Sequence, residues 1–281
     1  MPYIKQLVVL RRKAGLTREE FFDYHYQTHG AISTAPTSAE TPTKYFQTHL
    51  IDSAYHPDTS NKVPNAHPPW ALSDGITELY FESPEHLEQV FRSEWVKTKV
   101  GPDGANFSDF SAVLPMFVRE EEVALSGVSG SSSSSSSSLT PRQSEDPNTF
   151  VAVYFVAFRD GQAPASAEET VSQFAGSLQN HAGGEVAKLT VNVPAEAGFD
   201  LAAYFGGAGA AMPHYQFVFT VTLRGKESVS GVRRAQKEFE ARFATLLDLA
   251  STWIAFGERA VVLDQTENIE FDRSRQPFKT L

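Results

Sequence analysis

Six of the eight histidines lie in the first half of this 281-residue sequence, and a phenol and a carboxylate recur among them at strand spacing. Histidine changes charge near neutral pH, so the chemistry such a set suits is proton transfer. His29 is the leading candidate. At the end of a predicted helix, its imidazole could move a proton to or from a bound molecule, and the same place also suits a histidine that caps its own helix. Glu78 falls on a predicted strand whose alternation groups Ile76, Glu78 and Tyr80 on one face and Thr77, Leu79 and Phe81 on the other. If the first face looks into a cleft, Glu78 acts as base or orients an imidazole, and Tyr80 touches substrate. If not, Glu78 is a solvent-facing glutamate.

Tyr45 and His49 share a face of another strand, where the Tyr45 hydroxyl could hold a carbonyl or phenolate oxygen. His49 and His67, the latter in a loop before Pro68-Pro69, could extend a proton path from His29. Phe22 lies with Phe21, His25 and His29 on one face of the first helix and could line the same cleft. His25 and His29 are spaced for two metal ligands, but the Glu of HExxH is missing and no spacing supplies a third ligand, so no metal is expected. No GxGxxG follows a strand, and GGAGAA (Gly206 to Ala211) lies in a loop before one, so no nucleotide cofactor is expected.

These residues need a scaffold, and the chain spells one small scaffold twice. Residues 3–11 are rich in β-formers. Gly15 turns the chain, and Thr17 with Glu20 forms a capping box that starts a helix to about Thr28. Strands at 44–51 and 76–81 flank a loop at 52–69; Pro84 opens a helix to about Lys97, and 111–119 is the fourth strand. After a Ser tract, 150–158, a helix capped by Ser166 and Glu169, 185–193, a Gly/Ala-rich loop, 215–223, a helix at 226–249 and 252–263 repeat the order. The expected divisions are 1–125, a flexible linker at 126–148, a diverged second domain at 149–266 and a tail at 267–281.

A βαββαβ unit makes a four-stranded antiparallel sheet with both helices on one face, and the bare face must be covered. The expected fold is therefore α+β: two tandem ferredoxin-like βαββαβ domains packed as an intramolecular dimeric α+β barrel. Each half would keep a cleft between sheet and helices, roofed by its own long loop. Further homodimerisation is left open.

Composition narrows the partners. The absence of cysteine excludes disulfides and thiolate chemistry. A net charge of -10 disfavours nucleic acid. The apolar run Leu7 to Leu10 is followed by basic residues, the reverse of a signal peptide, and no stretch approaches membrane-spanning length, so a soluble, cytoplasmic protein is expected.

RRKAGLTREEFFDYHYQTHG (Arg11 to Gly30), Lys44-Tyr45, DGITELYF (Asp74 to Phe81) and PDGANFSDF (Pro102 to Phe110) together resemble the EthD family of the dimeric α+β barrel superfamily, over about residues 3 to 120. The sequence departs from that family after His29, where Gly30-Ala31 replaces a small or apolar residue and Pro. The second half keeps His181 at its helix end but has no Glu on its third strand. The resemblance implies a small-molecule protein, with relatives that include decarboxylases and dehydratases of fungal aromatic polyketide pathways, cofactor-free monooxygenases and cyclases. It also brings in Asp103, which either bonds to His29 or fixes its loop. The resulting expectation is a cofactor-independent lyase with His29, Glu78 or Asp103, and Tyr45 in the first half. The alternatives are a cofactor-free monooxygenase or cyclase and a non-catalytic binding protein.

Overall fold

The computed structural model describes residues 3–34, 37–71, 73–125, 148–162, 164, 166–207 and 213–279. The serine-rich segment expected as a linker lies outside them from 126 to 147. The first half runs β1 (Ile4–Leu10), α1 (Arg18–Asp23), a π-helical stretch (Tyr24–Gly30), α2 (Ala31–Ser33), β2 (Lys44–Tyr55), β3 (Gly75–Phe81), α3 (Pro84–Arg92), a second π-helical stretch (Val96–Val100), α4 (Gly101–Phe107) and β4 (Leu114–Glu122). The second half runs β5 (Thr149–Val156), α5 (Ala167–Ala182), β6 (Val186–Pro194), α6 (Leu201–Tyr204), β7 (Phe217–Leu223), α7 (Val229–Arg242) and β8 (Trp253–Asp264).

The eight strands close into one antiparallel barrel in the order β1-β3-β2-β8-β5-β7-β6-β4. Each half contributes four neighbouring strands, and β2–β8 and β4–β6 join them. The β2–β8 seam pairs Lys44 with Asp264 at one end and Tyr55 with Trp253 at the other, and the shorter β4–β6 seam pairs Val118 with Pro194 and Glu122 with Thr190. Closure satisfies the strand edges that either sheet alone would expose. A single chain thus forms the pseudo-dimer by itself.

The capping signals act as expected. Thr17 Oγ1 accepts from the Glu20 amide at 3.2 Å, and Glu20 Oε2 accepts from the Thr17 amide at 2.7 Å. Ser83 caps α3 behind Pro84, and Ser166 caps α5. The first helix, however, passes Thr28 and runs to Ser33. Ala31 stands where a proline would have ended it, and its amide donates to the Thr28 carbonyl. The second helix stops early, at Arg92, because Ser93 turns extended and its hydroxyl caps the next turn by accepting from the Val96 amide at 3.2 Å.

Alternation along the strands separates two interiors. The face of Leu7, Val9, Ile76 and Leu50 meets Val151, Val153, Phe155 and Trp253 inside the barrel. The opposite face packs on the helices. Within the barrel, Lys5 is fully buried with its Nζ 2.5 Å from Glu78 Oε1, 2.5 Å from Glu120 Oε2 and 2.9 Å from Asn192 Oδ1. Arg259 Nε lies 2.9 Å from Glu78 Oε2, and the Tyr80 hydroxyl donates to Glu120 Oε2 at 2.9 Å. Two cations and two carboxylates thereby neutralise one another out of water, with ligands from both halves.

The two helix-side layers are not alike. In the second half, Phe174 of α5, Phe219 of β7, Phe239 of α7 and Tyr154 of β5 fill the space between sheet and helices, with ring centroids 4.5 Å apart for Phe174 and Phe219. Burying each such ring stabilises the fold by about 1.5–3 kcal/mol. In the first half, part of the corresponding space is open.

Candidate active site

The opening in the first half is a cavity of about 350 Å³ between its sheet and its helices. Gln6, Val8 and Leu10 of β1, Thr77 and Leu79 of β3, and Tyr45 of β2 form its floor; His29 and Ser33, then Val96, Lys97 and Val100, form its helical walls. Both walls are built partly from π-helical stretches, whose wider turns alter where side chains project. Phe107, Ser108 and Phe110 close one side.

The roof differs from expectation. Tyr204 and Phe205, which follow β6 in the second half, line the cavity of the first. Their segment packs across on α3: Phe199 lies 4.7 Å and Tyr204 4.9 Å from Phe91 between ring centroids. Among the described residues, the loop between β2 and β3, expected as the roof, contributes none to the lining. Its Trp70 packs instead beside Tyr55 and Trp253.

His29 lines the cavity, and its Nδ1 is 2.8 Å from Asp103 Oδ2. Asp103 Oδ1 accepts from the Tyr24 hydroxyl at 2.8 Å and from Asn106 Nδ2 at 3.0 Å. Burial alone would raise the Asp103 carboxyl, but hydrogen bonds from His29, Tyr24 and Asn106 overcome it and hold the group below the usual carboxylate range. An ionised Asp103 fixes the proton of neutral His29 on Nδ1 and leaves Nε2 as the basic nitrogen.

Tyr45 is buried in the floor, where Gln47 Nε2 donates to its hydroxyl and Ser33 and Thr77 lie within bonding reach. Burial drives its phenol well above the ordinary value, so it stays protonated and can donate. His25, stacked beside His29 at 6.2 Å, is fully buried with Nε2 3.0 Å from Thr77 Oγ1. Burial, helped by His49 and His29, lowers its imidazole well below the ordinary value and keeps it neutral. Among the described residues, no three His, Asp or Glu side chains are grouped to hold a metal ion.

His29 and Tyr45 thus line one cavity, with Asp103 behind His29, and the other sequence candidates lie elsewhere. Glu78 and Tyr80 face the barrel interior, because the face they share is the one buried against the second half. Phe22 and His49 occupy the helix-side layer beyond the cavity, stacked on each other at 4.3 Å, and burial depresses the His49 imidazole to about 3. His67 packs edge-on against Tyr55, 6.1 Å away between rings, at a barrel end. His181 bonds Glu238 of α7 at 2.5 Å in the second half. The segment expected as a tail folds back on the His29 helix: the Tyr26 hydroxyl donates to the Asp272 carbonyl at 3.1 Å, and Phe271 lies 5.5 Å from the Tyr26 ring.

Sequence reasoning missed Lys97, Phe107, Phe110, Tyr204 and Phe205. Thr77 and Leu79 were on the strand face set against Glu78, so alternation had already separated them from it.

Residues 13–111 match the family described as EthD domain. No curated protein matches the chain. Among solved structures, an anthrone oxidase-like protein is similar at a TM-score of 0.51 and 10% identity, over 94% of this chain and 95% of that one. A protein of Lactobacillus acidophilus NCFM provisionally named a monooxygenase aligns at 0.45 and 11% identity, over 93% and 97%. A chlorite dismutase variant from Candidatus Nitrospira defluvii aligns at 0.44 and 8% identity, over 94% of each chain. At these identities the likeness is one of fold, the dimeric α+β barrel.

Proposed function

We propose, from the EthD domain that residues 13–111 carry and from the His29–Asp103 pair beside an apolar cavity, that this chain is a proton-transfer enzyme acting on an aromatic or polyketide-derived small molecule. The observation that carries the reading is the 2.8 Å contact between His29 Nδ1 and Asp103 Oδ2, with His29 on the cavity wall. His29 Nε2 takes a proton from a carbon activated by a neighbouring carbonyl or phenol. Asp103 stabilises the imidazolium that forms, and the Tyr45 hydroxyl donates to the oxygen on which charge develops.

One enolate-like state has two outcomes. In dehydration a β-hydroxyl is expelled as water on taking the His29 proton. In decarboxylation the enolate-like state forms instead as the carbon–carboxylate bond breaks and carbon dioxide leaves, and His29, protonated beforehand, gives carbon the proton it gains; either makes the enzyme a lyase. Alternatively, the carbanion reacts with dioxygen, as in a cofactor-free oxygenase. The fold shared with an anthrone oxidase-like protein supports the oxygen-dependent outcome and makes anthrones the substrates to try first.

The test is incubation of purified protein with anthrones, aromatic polyketide acids and β-hydroxyketones under anaerobic, metal-free conditions, following product mass before and after air is admitted. Loss of the mass of water or carbon dioxide without air assigns the lyase. Turnover that begins only with air assigns the oxygenase. Ligand retention with no turnover in either condition, in wild type and His29→Ala alike, overturns the enzymatic reading in favour of a binding protein.

A further inference from the structure

Besides His29, the side chains on the cavity lining that can carry charge are Lys97 and Glu40. Glu40 Oε2 accepts from the Thr37 hydroxyl at 2.7 Å. Lys97 stands exposed on the π-helical wall, and its ammonium has no ion-pair or hydrogen-bond partner among the described residues. A cation in that position is not needed to hold the fold. It meets whatever enters the cavity.

Tyr204 reaches the same cavity from the other half of the chain. Its hydroxyl has no hydrogen-bond partner among the described residues either. It lies close against Gly101, four residues after Lys97: a Cβ at Gly101 would come within 3.2 Å of Tyr204 Oη. Burial raises the phenol above its ordinary value, so it remains a donor. Around these two groups the surface is aromatic. Phe110 and Phe205 are in edge contact at 6.0 Å between centroids, and Phe91 backs the Tyr204 ring.

We infer that this end of the cavity is an acid-recognition site assembled across the two halves, in which the Lys97 ammonium and the Tyr204 hydroxyl hold the carboxylate of a planar aromatic acid. Phe91, Phe110 and Phe205 flank its ring. The inference rests on the reading of this cavity as the substrate site and adds the class of substrate. Charge supplies the reason for a dedicated cation: an anion approaching a chain of net charge -10 is repelled at long range, so a local positive group must select it at the mouth. The second half then has a role in recognition as well as in closing the barrel.

The experiment is calorimetric titration of the full chain with anthraquinone-2-carboxylic acid and with its neutral carboxamide. Wild type is expected to bind the acid more tightly. Lys97→Met should weaken binding of the acid by roughly fivefold, as for a partly exposed ion pair. Tyr204→Phe should weaken it by roughly tenfold, as for a hydrogen bond to a charged group. Both should leave the carboxamide within twofold, and Lys99→Met, on the same helix but off the lining, should change neither. Equal binding of acid and amide by wild type, an acid preference that survives both substitutions, or no binding of either probe overturns the inference. Because binding is read and not turnover, a Lys97- and Tyr204-dependent preference without catalysis would remove the enzymatic reading alone. His29-dependent turnover with no acid preference would remove this inference alone.

Discussion

His29 and Asp103 meet at 2.8 Å, Nδ1 to Oδ2, across two helical segments that lie far apart in sequence, and the other Asp103 oxygen is held by Tyr24 and Asn106. An aspartate fastened on both oxygens orients the imidazole more than it could if it were free to rotate. His29→Ala is expected to lower kcat by roughly 10²- to 10⁴-fold with an unchanged melting temperature. Asp103→Asn should cost on the order of 10²-fold in kcat with little change in KM. A purely structural Asp103 would instead lower stability and leave kcat per folded molecule intact. Nitrogen-detected NMR separates the cases: wild type should carry its His29 proton on Nδ1, and the asparagine variant should lose that preference.

Tyr45 lies on the floor of the same cavity with a phenol that burial keeps protonated. Removing the hydroxyl takes away the donor to the developing oxyanion and leaves the ring in place. Tyr45→Phe should therefore reduce kcat by roughly 10²-fold while ligand affinity changes little. A variant that keeps wild-type kcat would show that the oxyanion is stabilised elsewhere.

Glu78 belongs to a different part of the molecule. It bridges Lys5 and Arg259 inside the barrel, and Glu78→Gln leaves those cations with Glu120 alone. The expected cost is about 3–5 kcal/mol in urea unfolding, with kcat per folded molecule unchanged. The wild-type network also has a pH signature. Burial would raise Glu120, but Lys5 and Arg259 pull it below the ordinary glutamate value of 4.5 to about 2. A depressed carboxylate contributes stability that is fully present above its unfolded pKa and is lost as pH falls through the folded one. Unfolding midpoints should therefore decline from about pH 4.5 toward pH 2, and a flat midpoint across that window would remove Glu120 from the account.

The repeat and its barrel were legible because each helix announces its start: Thr17 with Glu20, Ser83 with Pro84, Ser166 with Glu169. The His29–Asp103 contact was legible as one of the two places the resemblance left for Asp103, and strand parity set Tyr45 apart from Phe46, Thr48 and Leu50. What could not be read was which face of β3 the barrel would cover. Parity groups Glu78 with Tyr80 but says nothing of the side on which the second half docks, and that side placed both away from the cavity. Phe22 and His49 sit on the helix side as their spacing required, yet they cover each other. Tyr204 and Phe205 are invisible to any local pattern, since they reach the first half only through closure of the barrel.

Closure itself depends on one close approach. At the β2–β8 seam, Gly257 pairs with Leu50 beside the register shift between Leu50 and Asp52, and a Cβ at Gly257 would lie 2.1 Å from the His49 carbonyl oxygen and 3.1 Å from the Leu50 Cα. Those atoms are backbone within the ladder and cannot swing aside. Gly257→Ala must therefore part the strands at the seam, costing about 3 kcal/mol or more. Gly176 on α5 offers the contrast, with nothing within 4 Å of a built Cβ. There the substitution to alanine should stabilise by about 1 kcal/mol through helix propensity. Chemical denaturation of the two variants beside wild type checks both signs. If Gly257→Ala unfolds at the wild-type midpoint, the seam is not packed as closely as its register requires.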